Sequence, residues 1–150
     1  MKRIALTQNK FALVDDEDYN ELIKHRWYAN NNGGHSYAVK SSSGGIQMHR
    51  VIMGAPPNKV VDHINGNGLD NRRKNLRICT NAENRRNQKL SKTNKSGFKG
   101  IYWHKRVNKW VVQISFNNKN IWGGCYSDKN EAVGARNELV VKYHGSFARL

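Results

Sequence analysis

Asp62 and His63 stand side by side, Asn75 follows twelve residues after the histidine, and Asn84 nine after that. Phosphodiester hydrolysis asks for such side chains: a base to activate water, oxygen ligands for a divalent cation, and cations that grip the backbone. The unperturbed pKa of histidine lies near working pH, which suits His63 as the base. Asp62 and Asn84 offer hard oxygens that suit Mg2+ or Mn2+ rather than zinc. Arg72, Arg73, Arg85 and Arg86 lie close by in sequence and could hold phosphates on either side. An isolated Asp–His pair is more often structural than catalytic. An ideal strand would also point the two to opposite faces, so the strand must end or distort there. His49 is a weaker candidate, read as a packed strand residue with the active site as the alternative.

The elements that must position these residues are short. Lys59 to Ile64 reads as a strand, Asn65-Gly66-Asn67-Gly68 as a loop, and Leu76 to Cys79 as the returning strand. Thr80-Asn81-Ala82-Glu83 has the form of a capping box and predicts a helix through about Lys89. Upstream, Ile4–Leu6 and Phe11–Val14 predict a hairpin, and Asp15 to Lys24 a short helix with its acids in the first turn. Asn30-Asn31-Asn32-Gly33-Gly34 and Ser41-Ser42-Ser43-Gly44-Gly45 read as turns around a strand at Ser36–Lys40, with a further apolar segment at Gln47–Met53. Downstream, Ser91–Gly97 reads as a linker. Three strands follow at Phe98–His104, Lys109–Phe116 and Lys119–Tyr126, then a helix opened by Asp128 and Glu131 and stopped at Gly145. Ala132, Ala135, Leu139 and Tyr143 form its apolar stripe.

Charge narrows the class of partner. Among 150 residues, 26 Lys and Arg against 11 Asp and Glu give a formal charge of +15, which argues for a polyanion. Placement says more than the total. From Asn84 through Ser127 there is no acid, while Lys99, Lys105, Arg106 and Lys109 are interleaved with Tyr102, Trp103, His104, Trp110 and Trp122. Rings among basic side chains suit a surface that meets phosphates and bases together. No apolar run approaches the roughly 20 residues that span a bilayer, and the N-terminus turns polar at Gln8, too early for a signal segment. Cys79 and Cys125 lie too far apart for a four-cysteine zinc site or a disulfide framework. The expectation is a soluble cytoplasmic protein with reduced thiols.

Asp62-His63, Asn75 and Asn84 at these spacings, with the wording Asp-His-x-x-Gly-Asn and Asn-Leu-Arg, resemble the ββα-metal motif of HNH nucleases, above all the phage and intron-encoded homing type. The resemblance implies that His63 is the general base, that Asp62 and Asn84 hold one divalent cation, and that Asn75 fixes the hairpin and orients His63. The block from Lys2 to Met53, including Met48-His49-Arg50, also looks like what precedes the motif in that family.

Residues 97–150 resemble an AP2 domain, through Gly97-Phe98-Lys99-Gly100-Ile101-Tyr102-Trp103, Lys109-Trp110-Val111-Val112 and Trp122-Gly123-Gly124-Cys125-Tyr126. That implies a sheet lying in the DNA major groove with the helix behind it. Alternation divides the sheet independently. Ile101, Trp103, Val112 and Ile114 share the helix-facing parity, and Trp110 falls with them as core. Tyr102, His104, Gln113, Ser115, Asn120 and Trp122 take the outward one. The plant AP2 domains carry Arg at several outward positions where this chain has Tyr102, His104, Ser115 and Asn120, so their target sequence does not transfer.

The sequence therefore predicts an α+β protein. Residues 1–92 form a β-rich HNH nuclease domain with a ββα core at about 59–90; 93–96 are a linker; 97–150 are a three-stranded antiparallel sheet packed on one helix. The expected function is metal-dependent cleavage of double-stranded DNA, homing-endonuclease-like. Arg72, Arg73, Arg85, Arg86, Lys99, Tyr102, His104, Lys105, Arg106, Gln113 and Trp122 are the expected DNA contacts. One Mg2+ or Mn2+ is expected, without zinc, small-molecule cofactor or membrane partner. The protein should be a monomer or weak dimer, phage- or mobile-element-encoded and acting in a bacterial cytoplasm. The rival readings are a non-catalytic sequence-specific DNA-binding regulator and an RNA-binding accessory protein.

Overall fold

The computed structural model describes residues 1–41, 44–88, 90–91 and 93–148. Ser42, Ser43 and Lys89, which belong to the expected serine turn and helix end, lie outside the described residues. The chain divides into two compact units, Met1–Asn84 and Arg85–Leu150.

In the first unit, β1 (Lys2–Ala5) and β2 (Phe11–Val14) pair antiparallel, Lys2 opposite Val14, across a turn in which Gln8 and Asn9 take left-handed φ of 62° and 53°. Helix α1 (Asp16–Leu22) carries Asp16, Glu17 and Asp18 in its first turn, where the helix dipole favours acids. Strands β3 (Trp27–Asn32), β4 (His35–Lys40) and β5 (Ile46–Gln47) form an antiparallel sheet in that order. The asparagine run read as a turn is instead the end of β3, and the reversal falls on Gly33-Gly34. Side-chain bonds tie Asn31 to the β1–β2 turn: its Oδ1 accepts from Lys10 Nζ at 2.8 Å and its Nδ2 donates to Gln8 Oε1 at 2.8 Å.

The apolar segment Gln47–Met53 is helical rather than extended. Helix α2 (Met48–Met53) buries Met48, His49 and Ile52 and stops at Gly54 in a left-handed cap. Strands β6 (Val60–His63) and β7 (Leu76–Cys79) make an antiparallel hairpin with Asp62 opposite Arg77 and His63 opposite Leu76. Helix α3 (Asn81–Asn87) follows, opened by the expected capping box. Glu83 Oε2 accepts from the Thr80 backbone at 2.8 Å, and the Glu83 N–H donates to Thr80 Oγ1 at 3.2 Å. The core of the unit gathers Ile4, Val14, Leu22, Trp27, Met48, Ile52, Val61 and Leu76.

In the second unit, β8 (Ile101–His104), β9 (Lys109–Phe116) and β10 (Lys119–Tyr126) form an antiparallel sheet ordered β10-β9-β8. The β9–β10 turn has both Asn117 and Asn118 at positive φ, a hairpin geometry that asparagine tolerates. Helix α4 (Lys129–His144) packs on the sheet and is capped by Asp128, whose side chain accepts from the N–H groups of Asn130 and Glu131. Contact is close at Gly123, where a Cβ would come within 2.5 Å of both Leu139 and Val112. The segment expected as a linker is built into this unit: Ser96 is buried and its hydroxyl donates to Phe98 O at 2.9 Å.

Two expectations about this unit need correction. Of the expected α4 stripe, Ala132 is buried and Leu139 packs on the core, but the residues buried along with Ala132 are Arg136 and Val140. Arg136 enters because its Nε donates to Lys99 O at 3.1 Å and Nη1 to Asn137 Oδ1 at 2.9 Å. Trp103 has helix-facing parity yet is 42% exposed, leaning edge-on against Trp110 with ring centroids 5.2 Å apart. Among the described residues no helix is long and apolar enough to cross a membrane.

Candidate functional site

Strand β6 includes both Asp62 and His63 and ends at His63. The His63 carbonyl accepts from Gly66 N at 2.8 Å, so the chain turns directly after it. The loop to β7 is then pinned from outside. Leu13 of β2 donates to Leu69 O and accepts from Asn71 N, both at 2.8 Å. Gly68 is required by the close approach of β4, since a Cβ there would lie 2.5 Å from Ser36 O and 2.6 Å from the Tyr37 ring.

Asn75 closes the loop from inside. Its Nδ2 donates to Asp70 O at 2.8 Å and Asn65 Oδ1 at 3.1 Å, while its Oδ1 accepts from Asn65 N at 3.0 Å. Asp70 is the buried charge of this loop. Arg72 donates to both its oxygens at 2.7 Å and holds its carboxyl below the usual range.

His63 is 5% exposed and His49 4%. The two rings meet edge to face at 4.8 Å, with Tyr37 within 6 Å of both (5.9 Å and 5.8 Å). His63 Nε2 lies 3.3 Å from Oδ1 of the fully buried Asn71. Burial pushes the His63 pKa below its ordinary value, against the opposing pull of Asn71 and of the charges of Asp62 and Asp70. His49 is driven down to about 3, by burial first and then by the charges of His63 and Arg50. Burial thus favours the neutral form of both rings. Tyr37 is pushed up, by burial and then by Asp62.

Asp62 is also buried, and Arg77 across the hairpin donates to its Oδ2 through Nε at 2.9 Å, with Nη2 at 2.7 Å. Removing one partner of such a buried pair costs about 3–5 kcal/mol. Asn84 is half-buried on α3. The donors available to a cation are thus a carboxylate and a carboxamide oxygen, both hard. Among the described residues no three His, Cys, Asp or Glu side chains gather to hold an ion by themselves. An ion here would complete its shell with water and phosphate oxygens, the habit of Mg2+. By type alone, these oxygens suit such a cation.

The basic residues sort into engaged and exposed. Arg72 is bound to Asp70, and Arg73 pairs with Asp18 at 2.6 Å and Glu17 at 2.9 Å, so neither guanidinium is held out alone toward a phosphate. Lys99 Nζ donates to the carbonyls of Arg85 and Arg86 at 3.3 and 3.4 Å, and Arg86 lies over the Phe116 ring at 4.9 Å. Arg85, Lys105 and Arg106 are exposed. On the outward sheet face Tyr102 and Trp122 are 44% and 60% exposed, Gln113 is half-buried, and His104 is half-buried with no partner for Nδ1 among the described residues.

Sequence reasoning did not single out Tyr37, Asn71 or Arg77, and it placed His49 on a strand. Arg77 had a legible signal, an opposite charge facing Asp62 in the hairpin register. Tyr37 had none, because it comes from another sheet.

The HNH endonuclease family matches residues 48–86, which spans α2, the β6–β7 hairpin and most of α3. An uncharacterised HNH endonuclease of Acanthamoeba polyphaga mimivirus is 35% identical over 97 residues, 61% of this chain and 50% of its own length. Protein 3.8 of Escherichia phage T7 is 34% identical over 105 residues, 69% of this chain and 86% of its own. The chain thus spans about half the length of the mimivirus relative. No solved structure matches. With its family segment covering the hairpin and helix that carry Asp62, His63, Asn75 and Asn84, the chain carries an HNH endonuclease domain over residues 48–86.

Proposed function

We propose that this protein hydrolyses phosphodiester bonds in duplex DNA as a metal-dependent endonuclease of the homing type, with His63 as general base. The observation that carries this reading is a buried His63 whose Nε2 faces Asn71 Oδ1 at 3.3 Å. The Asn71 carboxamide orients the ring, and the His63 imidazole takes the proton from the attacking water. His49 and Tyr37 act as positioning residues that hold the His63 ring by contact. Asn75 acts one step further out, by closing the loop that carries Asn71. Asp62 and Asn84 hold one divalent cation, Mg2+ or Mn2+, and Arg77 keeps the Asp62 carboxylate oriented. When bound, the cation neutralises charge developing on the scissile phosphate.

The C-terminal sheet, residues 97–150, grips the duplex in the manner of an AP2 domain. Tyr102, His104, Gln113 and Trp122 face bases, and Lys105, Arg106 and Arg85 face phosphates. Arg72, Arg73, Arg86 and Lys99 contribute there only by giving up the partners they have now. Incubation with supercoiled plasmid tests the reading. Nicked product should form with Mg2+ and not with EDTA. Equal nicking in both would end the metal reading, and binding without nicking in any divalent cation would favour a non-catalytic regulator.

A further inference from the structure

The second unit holds a cleft of about 450 Å³ at its edge strand β8, within the roughly 300–1,000 Å³ of ligand pockets. Trp103 and Trp110, packed edge to face, supply its rings, and Tyr102, Lys95 and Lys105 are among its lining residues. No carboxylate is among the described lining residues. Trp103 is the anomaly, because its parity points it inward and yet 42% of it stays open. A tryptophan can bury about 150–250 Å² of surface, so leaving this one open forgoes a sizeable gain unless something covers it. Asn94, also in the lining, is held in place: its Nδ2 donates to Phe98 O at 3.0 Å and its Oδ1 accepts from Gly97 N at 2.7 Å. Neither Lys95 nor Lys105 is ion-paired among the described residues.

Flat apolar rings beside uncompensated ammonium groups match one chemistry, a nucleobase with its phosphates. A base inside a duplex has both faces covered by its neighbours and cannot stack on a side chain. An acidic peptide would satisfy the lysines and leave the rings uncovered. We propose that this cleft takes one unpaired base of a DNA strand, stacked on Trp103, with the flanking phosphates on Lys95 and Lys105. The inference rests on DNA as the bound polyanion and not on cleavage.

The test compares two DNA duplexes of one sequence, one fully paired and one with a single bulged 2-aminopurine, titrated with full-length protein in EDTA. Stacking on one aromatic ring is worth about 1–3 kcal/mol per base, which at about 1.4 kcal/mol per decade is roughly 5- to 150-fold. The bulged duplex should bind tighter by a factor in that range, and its 2-aminopurine emission should be quenched. Trp103→Leu should erase the preference, and Trp103→Phe should keep part of it. Equal affinity for the two duplexes, unquenched emission, or a preference that survives Trp103→Leu would overturn the inference. So would tighter binding of the same bulge in an RNA duplex. Should Trp103→Leu fail to fold, the emission of the wild-type complex still decides. Because nothing here is cut, loss of the bulge preference with intact plasmid nicking separates this inference from the endonuclease reading.

Discussion

The two units handle charge and rings in opposite ways. In residues 1–84 the buried charges are neutralised in place: Asp62 by Arg77 and Asp70 by Arg72, with the outer Arg73 held by Asp18. The histidine and tyrosine rings there are packed on one another. In residues 85–150 the long acid-free stretch leaves Lys105, Arg106 and Lys119 in solvent, and Tyr102, Trp103 and Trp122 stay partly open. Chemistry on a phosphate needs groups fixed within a fraction of an ångström, which burial and hydrogen bonding supply. Gripping a polyanion needs charge that nothing else has neutralised. On the proposed function, substitutions in the first unit should change rate, and those in the second affinity and choice of site.

The largest effect expected is on the cation. Asn84→Ala and Asp62→Asn should shift the Mg2+ titration of plasmid nicking to much higher concentration or abolish nicking, with DNA affinity in EDTA little changed. Asp62→Asn is the better probe than Asp62→Ala, because it keeps an oxygen toward Arg77. A wild-type Mg2+ curve in either variant would remove that residue from the site and blur the contrast between the units.

A second effect separates the units by pH. The folded pKa of His49 lies below its unfolded value, so the unfolded chain binds the extra proton. Its contribution to stability is complete above about 6.5 and is lost as pH falls toward about 3, at up to about 1.4 kcal/mol per pH unit. Chemical denaturation of wild type and His49→Phe across this window should show a shallower acid loss in the variant. Parallel curves would mean that His49 is not the buried neutral group described.

The smallest effects lie in the second unit, where two double variants should part company. Trp122→Ala with Gln113→Ala should lower the ratio of specific to nonspecific affinity. Lys105→Ala with Arg106→Ala should weaken all DNA alike and flatten the salt dependence by up to about 2 in log–log slope. Salt titrations on target and random duplexes measure both. An unchanged ratio in the first pair would move site choice into the first unit.

What the sequence made legible follows the range of the forces involved. Strands β9 and β10 have the predicted limits, because alternation and the Asn117-Asn118 turn are local signals. The strand–strand–helix setting of Asp62, His63 and Asn75 was equally local, fixed by spacing and by the Thr80–Glu83 capping box. Helix α2 was hidden because a six-residue apolar run carries no period that separates helix from strand. The partners of Arg73 were hidden because Asp18 lies 55 residues earlier and the two meet only in the folded chain. Tyr37 and His49 reach His63 from β4 and α2 for the same reason.

The most direct test of the central claim is His63→Ala, with nicking rate and DNA affinity measured on the same preparation and the same duplex. A positioned general base contributes about 10²–10⁴-fold. The rate should fall by that factor, with affinity within about twofold of wild type, since the difference between one ring and a methyl touches none of the phosphate contacts assigned to the second unit. A folded His63→Ala protein that nicks at the wild-type rate would contradict the account.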